Sequence, residues 1–502
     1  MGYELVAAVD LGSNSFRLQV GRVVDNQIYP LDSLKESVRL ASGLTPDKLL
    51  DSAAQDRAIA ALARFGERLR GFSPGAVRAV GTNALRVAKN VPEFLPRAEA
   101  ALGFPIEIIA GREEARLIYI GASHWLPTAA HKRLVVDIGG GSTEFIIGKR
   151  FEPQLMESLF MGCVSYSLRF FPGGRIDKKS MRDAEVAAGK EIELIAKEYL
   201  SCGWKEAVGS SGTAKAIAEL LEMNNLNPPG VTGLTREGMD KLRARLIKAG
   251  SADASGLAGL RQDRQLVLPG GLAIMSAVFA AFGIERMTYA DGALRLGVLY
   301  DLLGRFHDHD MRDATVANFM RRYQVDTRQA SRIERTAFHI LQQLLPEGAG
   351  EGDVHFLLWA TRLHEIGISI AHNGYHKHGA YILTFADMPG FSKKDQARLA
   401  LLILGHRGKL EKVAGMPPGD VNWKLLCALR LAVLFHRSRD DHALPPFRVV
   451  PGASGMTLEL PQEWLAKNPL SAAALADEAA AWRGAGSEFR VRQRRTGLVE
   501  ED

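Results

Sequence analysis

The sequence predicts an α/β protein with two related α/β domains, followed by a helical region and a small α+β end. Three observations predict it. Over residues 1–303, short apolar runs suited to strands alternate with stretches of helical periodicity. The opening of the first domain, Val9-Asp10-Leu11-Gly12-Ser13-Asn14-Ser15-Phe16-Arg17, returns as Val136-Asp137-Ile138-Gly139-Gly140-Gly141-Ser142-Thr143-Glu144-Phe145. From about 306 to 445 strand signals nearly vanish and helical runs dominate. With 502 residues, length alone suggests about three domains. The patterns divide the chain into 1–125, 126–305, 306–445 and 446–502.

The elements follow in order. Residues 5–9 and 16–20 read as strands, and 56–70 as a helix with Ile59, Leu62, Ala63, Phe65, Gly66 and Leu69 on one face. Residues 76–80 read as a strand before a turn at 81–83, and 106–110 as a strand before a helix from about Arg112. A polar connector, 123–133, closes the first domain, and hinges are expected there and at 303–306. The second domain is expected to hold strands at 134–136 and 144–147 and helices at 180–200, 213–223, 235–249 and 271–283. Helical runs follow at 330–345, 353–365, 395–405 and 424–436. The Pro/Gly-rich stretch 444–455 reads as a linker. A strand at 456–460, an Ala-rich helix at 471–482 and a basic strand-like tail at 489–495 end the chain. Residues 266–284 carry no charge and are long enough for a bilayer, but Leu268-Pro269-Gly270-Gly271 and the Ala/Gly content read as a strand end, a turn and a buried helix. No membrane span is expected.

Composition narrows the class. Apolar residues at 46% and charged residues at 24% exclude a disordered chain, a collagen and a disulfide-stapled mini-protein. Against 57 Asp and Glu, 63 Lys and Arg leave a net charge of +6, which is mild and argues for a partner only if it is clustered. Cys163, Cys202 and Cys427 are scattered without a CxxC, so a reducing compartment is the simpler reading. The N-terminal segment has no basic or apolar signal region, and a cytoplasmic location is expected. Glycine is the skewed count: 50 residues, about 10% against a usual 7% or so.

The repeated loops carry the chemistry. Each runs from an apolar strand through Asp, an apolar residue and Gly into small polar residues and a return strand. Glycine admits positive φ and removes Cβ bulk, so successive N–H groups of Gly12, Ser13, Asn14 and Ser15, and of Gly139, Gly140, Gly141 and Ser142, can converge on an anion. An Asp at the strand end can hold a divalent cation or its water shell. One such loop is an ordinary turn. Two, each opening an α/β domain, imply domains that face each other across a phosphate chain and a metal. Neither loop is a GxxxxGK[ST] or GxGxxG motif.

These loops resemble the two phosphate loops of the actin, sugar kinase and Hsp70 superfamily. More closely, the chain resembles the exopolyphosphatase / guanosine pentaphosphate phosphohydrolase family. The likeness runs through AVGTNALRVA, IEIIAGREEARLIYIG, FMGCVSYSLRFFPGG, GSSGTAKAI, YADGALRLGVLYDLLGRF and LHEIGISIAHNGYHKHGAYIL as well as the two loops. The long C-terminal half matches the full-length bacterial exopolyphosphatases rather than the short two-domain members. The resemblance implies two actin-like (ribonuclease H-like) domains around a cleft, an HD-like helical domain and a homodimer. It implies hydrolysis of terminal phosphoanhydride bonds of inorganic polyphosphate or of pppGpp.

Glu113 and Glu114 are adjacent on a helix, so at most one faces a given cleft. Glu114 shares its face with Leu117, Ile118 and Gly121, whereas Glu113 can pair with Arg116 on the outer side. Both also suit a helix's first turn through its dipole. The resemblance selects Glu114 as the general base and implies Arg86 as a cleft arginine. Asp137 and Glu144, with Asp10 as a third, are the candidate Mg²⁺ carboxylates, and K⁺ is a further candidate cation. Ser210-Ser211-Gly212-Thr213 resembles the superfamily's nucleotide-side loop, although a helix N-cap explains it equally, and no purine pocket is evident.

In the helical half, His364-Glu365 resembles an HD pair with Glu replacing Asp, which argues against a metal there. A basic track for a long polyanion is expected among Arg169, Arg175, Lys178, Lys179, Arg261 and Arg264, with Arg490, Arg492, Arg494 and Arg495 in the tail. Competing readings are an actin-like ATPase and a binding module that uses the basic tail. No nucleic-acid partner is required.

Overall fold

The computed structural model describes residues 4–494 except 25, 26, 128, 307–309, 418, 442, 453 and 454. It has two compact units, Met1–Met311 and Arg312–Asp502.

The first unit contains the same sheet twice. In its N-terminal half, β1 (Leu5–Leu11), β2 (Phe16–Val24) and β3 (Gln27–Glu36) form an antiparallel meander, and β4 (Val77–Gly81) and β5 (Ile106–Ile108) add in parallel, giving the order β3-β2-β1-β4-β5. In the second half β6 (Lys132–Ile138), β7 (Thr143–Lys149) and β8 (Glu152–Leu159) repeat the meander, and β9 (Glu206–Ser210), β10 (Leu234–Thr235) and β11 (Arg286–Tyr289) complete the order β8-β7-β6-β9-β11-β10. Every residue of β7 but Lys149 is buried, which suits a strand covered on both faces.

The helices cover these sheets by a cross-over. The helix Gly111–Trp125 leaves the first sheet and packs on β6, β7 and β8. The helix Leu294–Phe306 leaves the second sheet and packs on β1, β2 and β4. The two helices pack on each other, and one apolar cluster runs from Val6, Ala8 and Val80 through Ile118, Tyr119, Val298 and Leu299 to Val135 and Ile146. Their contact is close because glycines meet backbone there: a β-carbon on Gly297 would lie 1.8 Å from the Leu117 carbonyl oxygen, and one on Gly121 2.0 Å from that of Ala293. On the outer faces, helices Ser52–Arg68 and Val91–Leu102 bury Leu62, Phe65 and Phe94 against the first sheet. Helices Lys178–Cys202 and Leu268–Phe282 bury Tyr199 and Phe282 against the second.

The second unit is helical, with helices Thr327–Leu344, Glu351–Leu363, Tyr375–Phe385, Lys393–Gly405 and Val421–Phe435 around one core that holds Trp359, Leu363, Leu426 and Trp482. A three-stranded sheet, β12 (Arg448–Gly452), β13 (Gly455–Pro461) and β14 (Glu488–Arg494), contributes Leu458 and Leu460 to that core.

Several expectations need correction. The 444–455 stretch contains a strand, β12, because Val449 is buried while Pro451 sits where an edge strand tolerates it. The 266–284 stretch holds no strand end: its helix starts at Leu268 with Pro269 in the first turn, where proline's missing N–H is harmless. No helix among the described residues is long and apolar enough to cross a membrane. The turn at 81–83 opens a short helix, Asn83–Val87. Glu113 does pair with Arg116, but it is buried at 3% exposure rather than on the outer side.

Candidate active cleft

The two repeated loops meet tip to tip. A β-carbon on Gly140 would lie 3.0 Å from Ser13 Cβ, and one on Gly141 would lie 2.4 Å from Asn83 Oδ1. None of Gly12, Gly139, Gly140 and Gly141 has a positive φ, so close approach, not left-handed backbone, is what requires glycine here. Carbonyls of the second loop are engaged from behind: Cys163 N–H donates to Gly139 (2.9 Å) and Val164 N–H to Gly140 (3.0 Å), at the start of the helix Cys163–Phe170. Arg39 and Ala41 N–H groups hold the carbonyls of Asn14 and Ser13 at 2.8 and 2.9 Å. Among the described residues, the N–H groups of Ser13, Asn14, Gly140 and Gly141 donate to no backbone carbonyl, so both loops keep donors for an anion.

Strand register sets the charges around the loops. Asp10 on β1 lies opposite Arg17 on β2, and Asp137 on β6 lies opposite Glu144 on β7. The repeat thus places a cation in one half where the other has a carboxylate. Arg17 is a cleft residue that motif reading passed over, although aligning the two echoes pairs it with Glu144. Asp137 accepts a short hydrogen bond from Ser210 Oγ, its neighbour on β9. Glu144 accepts from Ser158 Oγ at 2.8 Å.

A cavity of about 380 Å³ opens over these strand ends. Asp10, Glu114 and Asp137 line it, together with Gly12, Ser13, Asn14, Ser15, Gly139, Gly140 and Ser142. Burial pushes the Asp10 carboxyl up to about 6 against the pull of Arg295 and Arg17, with Glu114 adding to the rise. Burial pushes Asp137 up to about 7, opposed by the Ser210 hydrogen bond and helped by Glu114 and Asp10. Glu144, buried and repelled by Glu114 and Asp137, is held well above the usual carboxylate range. Glu114 itself is gripped by Arg86, whose Nη1 donates to its carboxylate and to the Ile109 carbonyl, both at 2.9 Å. Arg86 and Glu144 therefore stand behind the cavity wall, not in it.

The cavity also holds cations to which the sequence assigns no role: Arg17, Lys215 and Arg295 inside the quoted motifs and Lys35 outside them, beside the expected Arg261 and Arg264. Lys35 and Arg261 share Asp263, and Lys215 is paired with Asp291. Arg17, Arg264 and Arg295 have no carboxylate within ion-pair distance among the described residues. Burial holds Arg264 and Arg295 below the usual guanidinium range, and Arg17 pushes both further down. Ser211, at φ 76°, and Gly212, under the Arg264 guanidinium, also line the cavity. Arg169, Arg175, Lys178 and Lys179 are exposed and do not line it. In the second unit Arg490 pairs with Glu488, Arg492 and Arg494 reach Glu459, and Arg495 lies outside the described residues.

Among the described residues no three His, Cys, Asp or Glu side chains converge closely enough to form a ready-made cation cage. Asp137 and Glu144 are buried and Asp10 is half-buried, and these carboxylates nevertheless stand close enough to Glu114 to raise one another's pKa values. That donor set suits Mg²⁺, which binds through one or two carboxylates, retains waters and shares phosphate oxygens.

Two sheets of one topology, crossed by each other's helices and joined at paired glycine loops, define the actin-like class of two-lobed phosphate-handling folds. Residues 19–306 match the Ppx/GppA phosphatase family, and 311–479 match domain III of that family. The chain belongs to the Ppx/GppA phosphatase family, whose members hydrolyse phosphoanhydride bonds. It is 39% identical over 477 residues to a guanosine-5'-triphosphate,3'-diphosphate pyrophosphatase of Aeromonas hydrophila, covering 94% of this chain and 95% of that one. An exopolyphosphatase from Cytophaga hutchinsonii shares the fold at TM-score 0.54 and 24% identity, over 60% of this chain and 98% of its own. A Ppx/GppA family member from Aquifex aeolicus does so at TM-score 0.51 and 26% identity, over the same 60% and 98%.

Proposed function

We propose that the cleft hydrolyses the terminal phosphoanhydride bond of inorganic polyphosphate and releases orthophosphate. One observation carries the reading: a single cavity sets the half-buried Asp10 and the buried Glu114 and Asp137 beside Arg17, Arg264 and Arg295, which have no carboxylate within ion-pair distance among the described residues. A polyanion supplies the charge those arginines lack.

In this reading Glu114, aimed by Arg86, orients a water and takes its proton as the oxygen attacks the end phosphorus in line. The bridging oxygen leaves with the electron pair of the broken P–O bond. The equatorial oxygens accept from the N–H groups of the two loops and from the cavity arginines. Asp137 and Glu144, with Asp10 as a third, are the proposed Mg²⁺ carboxylates, and K⁺ is a further candidate cation. Bound Mg²⁺ would neutralise phosphate charge that repels the incoming water.

The second reading is a pppGpp 5'-phosphohydrolase, favoured by the 39% identity to the Aeromonas hydrophila pyrophosphatase over nearly the whole chain. An actin-like ATPase is a third. We also keep as proposals the lobes 1–125 and 126–305, an HD-like domain at 306–445 with a small partner at 446–502, a cytoplasmic location and a homodimer. Phosphate release from long polyphosphate, pppGpp and ATP, measured side by side with Mg²⁺, tests all of this chemistry. Release from polyphosphate supports the first reading, and release from pppGpp alone replaces it with the second. Release from none of the three overturns both.

A further inference from the structure

The second unit has a cavity of about 300 Å³ that the proposed chemistry does not use. His364 and His406 face it from the ends of helices Glu351–Leu363 and Lys393–Gly405, with ring centroids 5.6 Å apart. Both rings are held alike. Nδ1 lies 2.7 Å from the Thr361 carbonyl in one and 2.6 Å from the Ile403 carbonyl in the other, so Nδ1 carries the proton and Nε2 a lone pair. Burial pushes both imidazoles down and keeps them neutral. No described residue donates to His364 Nε2; Glu365 Oε1, 3.8 Å away, is itself an acceptor. That nitrogen opens on the cavity with its lone pair unmet among the described residues.

The cavity rim is also cationic. Arg430 is committed to Glu478 and to the carbonyls of Gly405 and Gly408, and Arg439 to Glu365 and Asp326. Arg407 and Arg437 line the same cavity with no carboxylate partner among the described residues, Arg407 lying 5.1 Å over the Tyr375 ring. Burial and the neighbouring Arg430, Lys377 and Arg407 push Lys412 down to about 8, with no carboxylate offsetting them. A metal ion would meet this positive rim, and among the described residues no three metal-ligating side chains converge.

One small species matches both the free lone pair and the cationic rim. We propose that this cavity binds orthophosphate in its hydrogen-phosphate form, its P–OH donating to His364 Nε2 while its other oxygens accept from Arg407 and Arg437. Sulfate offers only acceptors at neutral pH. A phosphomonoester, with a second pKa of about 6, has lost that proton by pH 8.

The test is a titration of the metal-free full-length protein at pH 8, followed by tryptophan fluorescence. Trp482 reports on the cavity wall, because its Nε1–H donates to Glu478 at 2.7 Å. Inorganic phosphate should give a saturable change that sulfate and AMP do not reproduce. R407Q and R437Q, at exposed positions and so without a folding penalty, should each weaken phosphate binding by about tenfold, the loss of one charge-assisted hydrogen bond. H364Q, which brings its own N–H donors, should erase the preference over sulfate. R264Q, in the other cavity, should leave the response in place. Equal responses to sulfate or AMP in the wild type overturn the proposal. So does a response that survives both R407Q and R437Q, or one that R264Q removes.

Discussion

The carboxylates of Glu113 and Glu114 leave one helical turn in different directions and meet different guanidinium groups. Glu113 is locked by Arg116 at 2.8 Å in a buried network with Arg78 and Asp301, whereas Glu114 lines the cavity with Arg86 behind it. E114Q should lower kcat by about 10²–10⁴-fold, the range for losing a general base, and leave polyphosphate binding intact. Near-normal turnover in steady-state assays would remove Glu114 from that role. E113Q should instead lower stability by about 1–3 kcal/mol, the cost of an unmet buried donor, with kcat little changed. Asp137 gives a pH-dependent test. Its folded pKa of about 7 exceeds its unfolded value of 3.8, so the stability linked to its proton is present below 3.8 and lost as pH rises through about 7. In metal-free protein, D137N should raise Tm at pH 8, and its advantage should shrink as pH falls below about 7. Residues inside the two echoes, Arg17 excepted, were legible because spacing and small side chains mark them. Lys35 was not, since a lone cation on a strand carries no spacing signal, and only the fold brings it to the cavity; Arg295 lay inside a quoted motif that gave it no role.

At the scale of elements, the crossing of helices Gly111–Trp125 and Leu294–Phe306 fixes where Glu114 and Arg295 stand. Gly297→Ala would force the Leu117 carbonyl to move, and overpacking of this kind costs about 1–3 kcal/mol or more. The variant should melt earlier by calorimetry and also lose activity, because the displaced helix carries the base; unchanged activity would show that the crossing does not position the site. Strands buried on both faces, such as β7, were readable as apolar runs. The edge strands β3 and β8 were not: Ile28 is the one buried residue of β3, Leu159 the one buried residue of β8, and neither run alternates cleanly. β12 has no strand signature because its proline and glycine outweigh two valines.

At the scale of the whole molecule, the duplicated topology was visible in the repeated loops, but the exchange of helices between sheets was not. Nothing in periodicity says which sheet an amphipathic helix will cover. Among the described residues, histidines depressed by burial are concentrated in the second unit, His124 at about 4 being the one in the first. Burial holds His364, His376, His406 and His436 of the second unit below 6.5, with His376 at about 4. A depressed histidine contributes stability that is present above its unfolded pKa and lost as pH falls through the folded one. The second unit should therefore melt at progressively lower temperature from pH 7 toward 4. Fluorescence will follow it, since Trp359, Trp423, Trp464 and Trp482 lie there. A melting profile flat across that range would count against buried neutral histidines.

The helix exchange has a consequence for synthesis. The N-terminal sheet emerges from the ribosome first, yet Val6, Ala8 and Val80 on one of its faces await Val298, Leu299 and Leu302, made more than two hundred residues later. Until then that half is translated with an apolar face uncovered. A ribosome stalled before Leu294 should hold a protease-sensitive N-terminal half that becomes resistant once the last helix of the unit has left the tunnel.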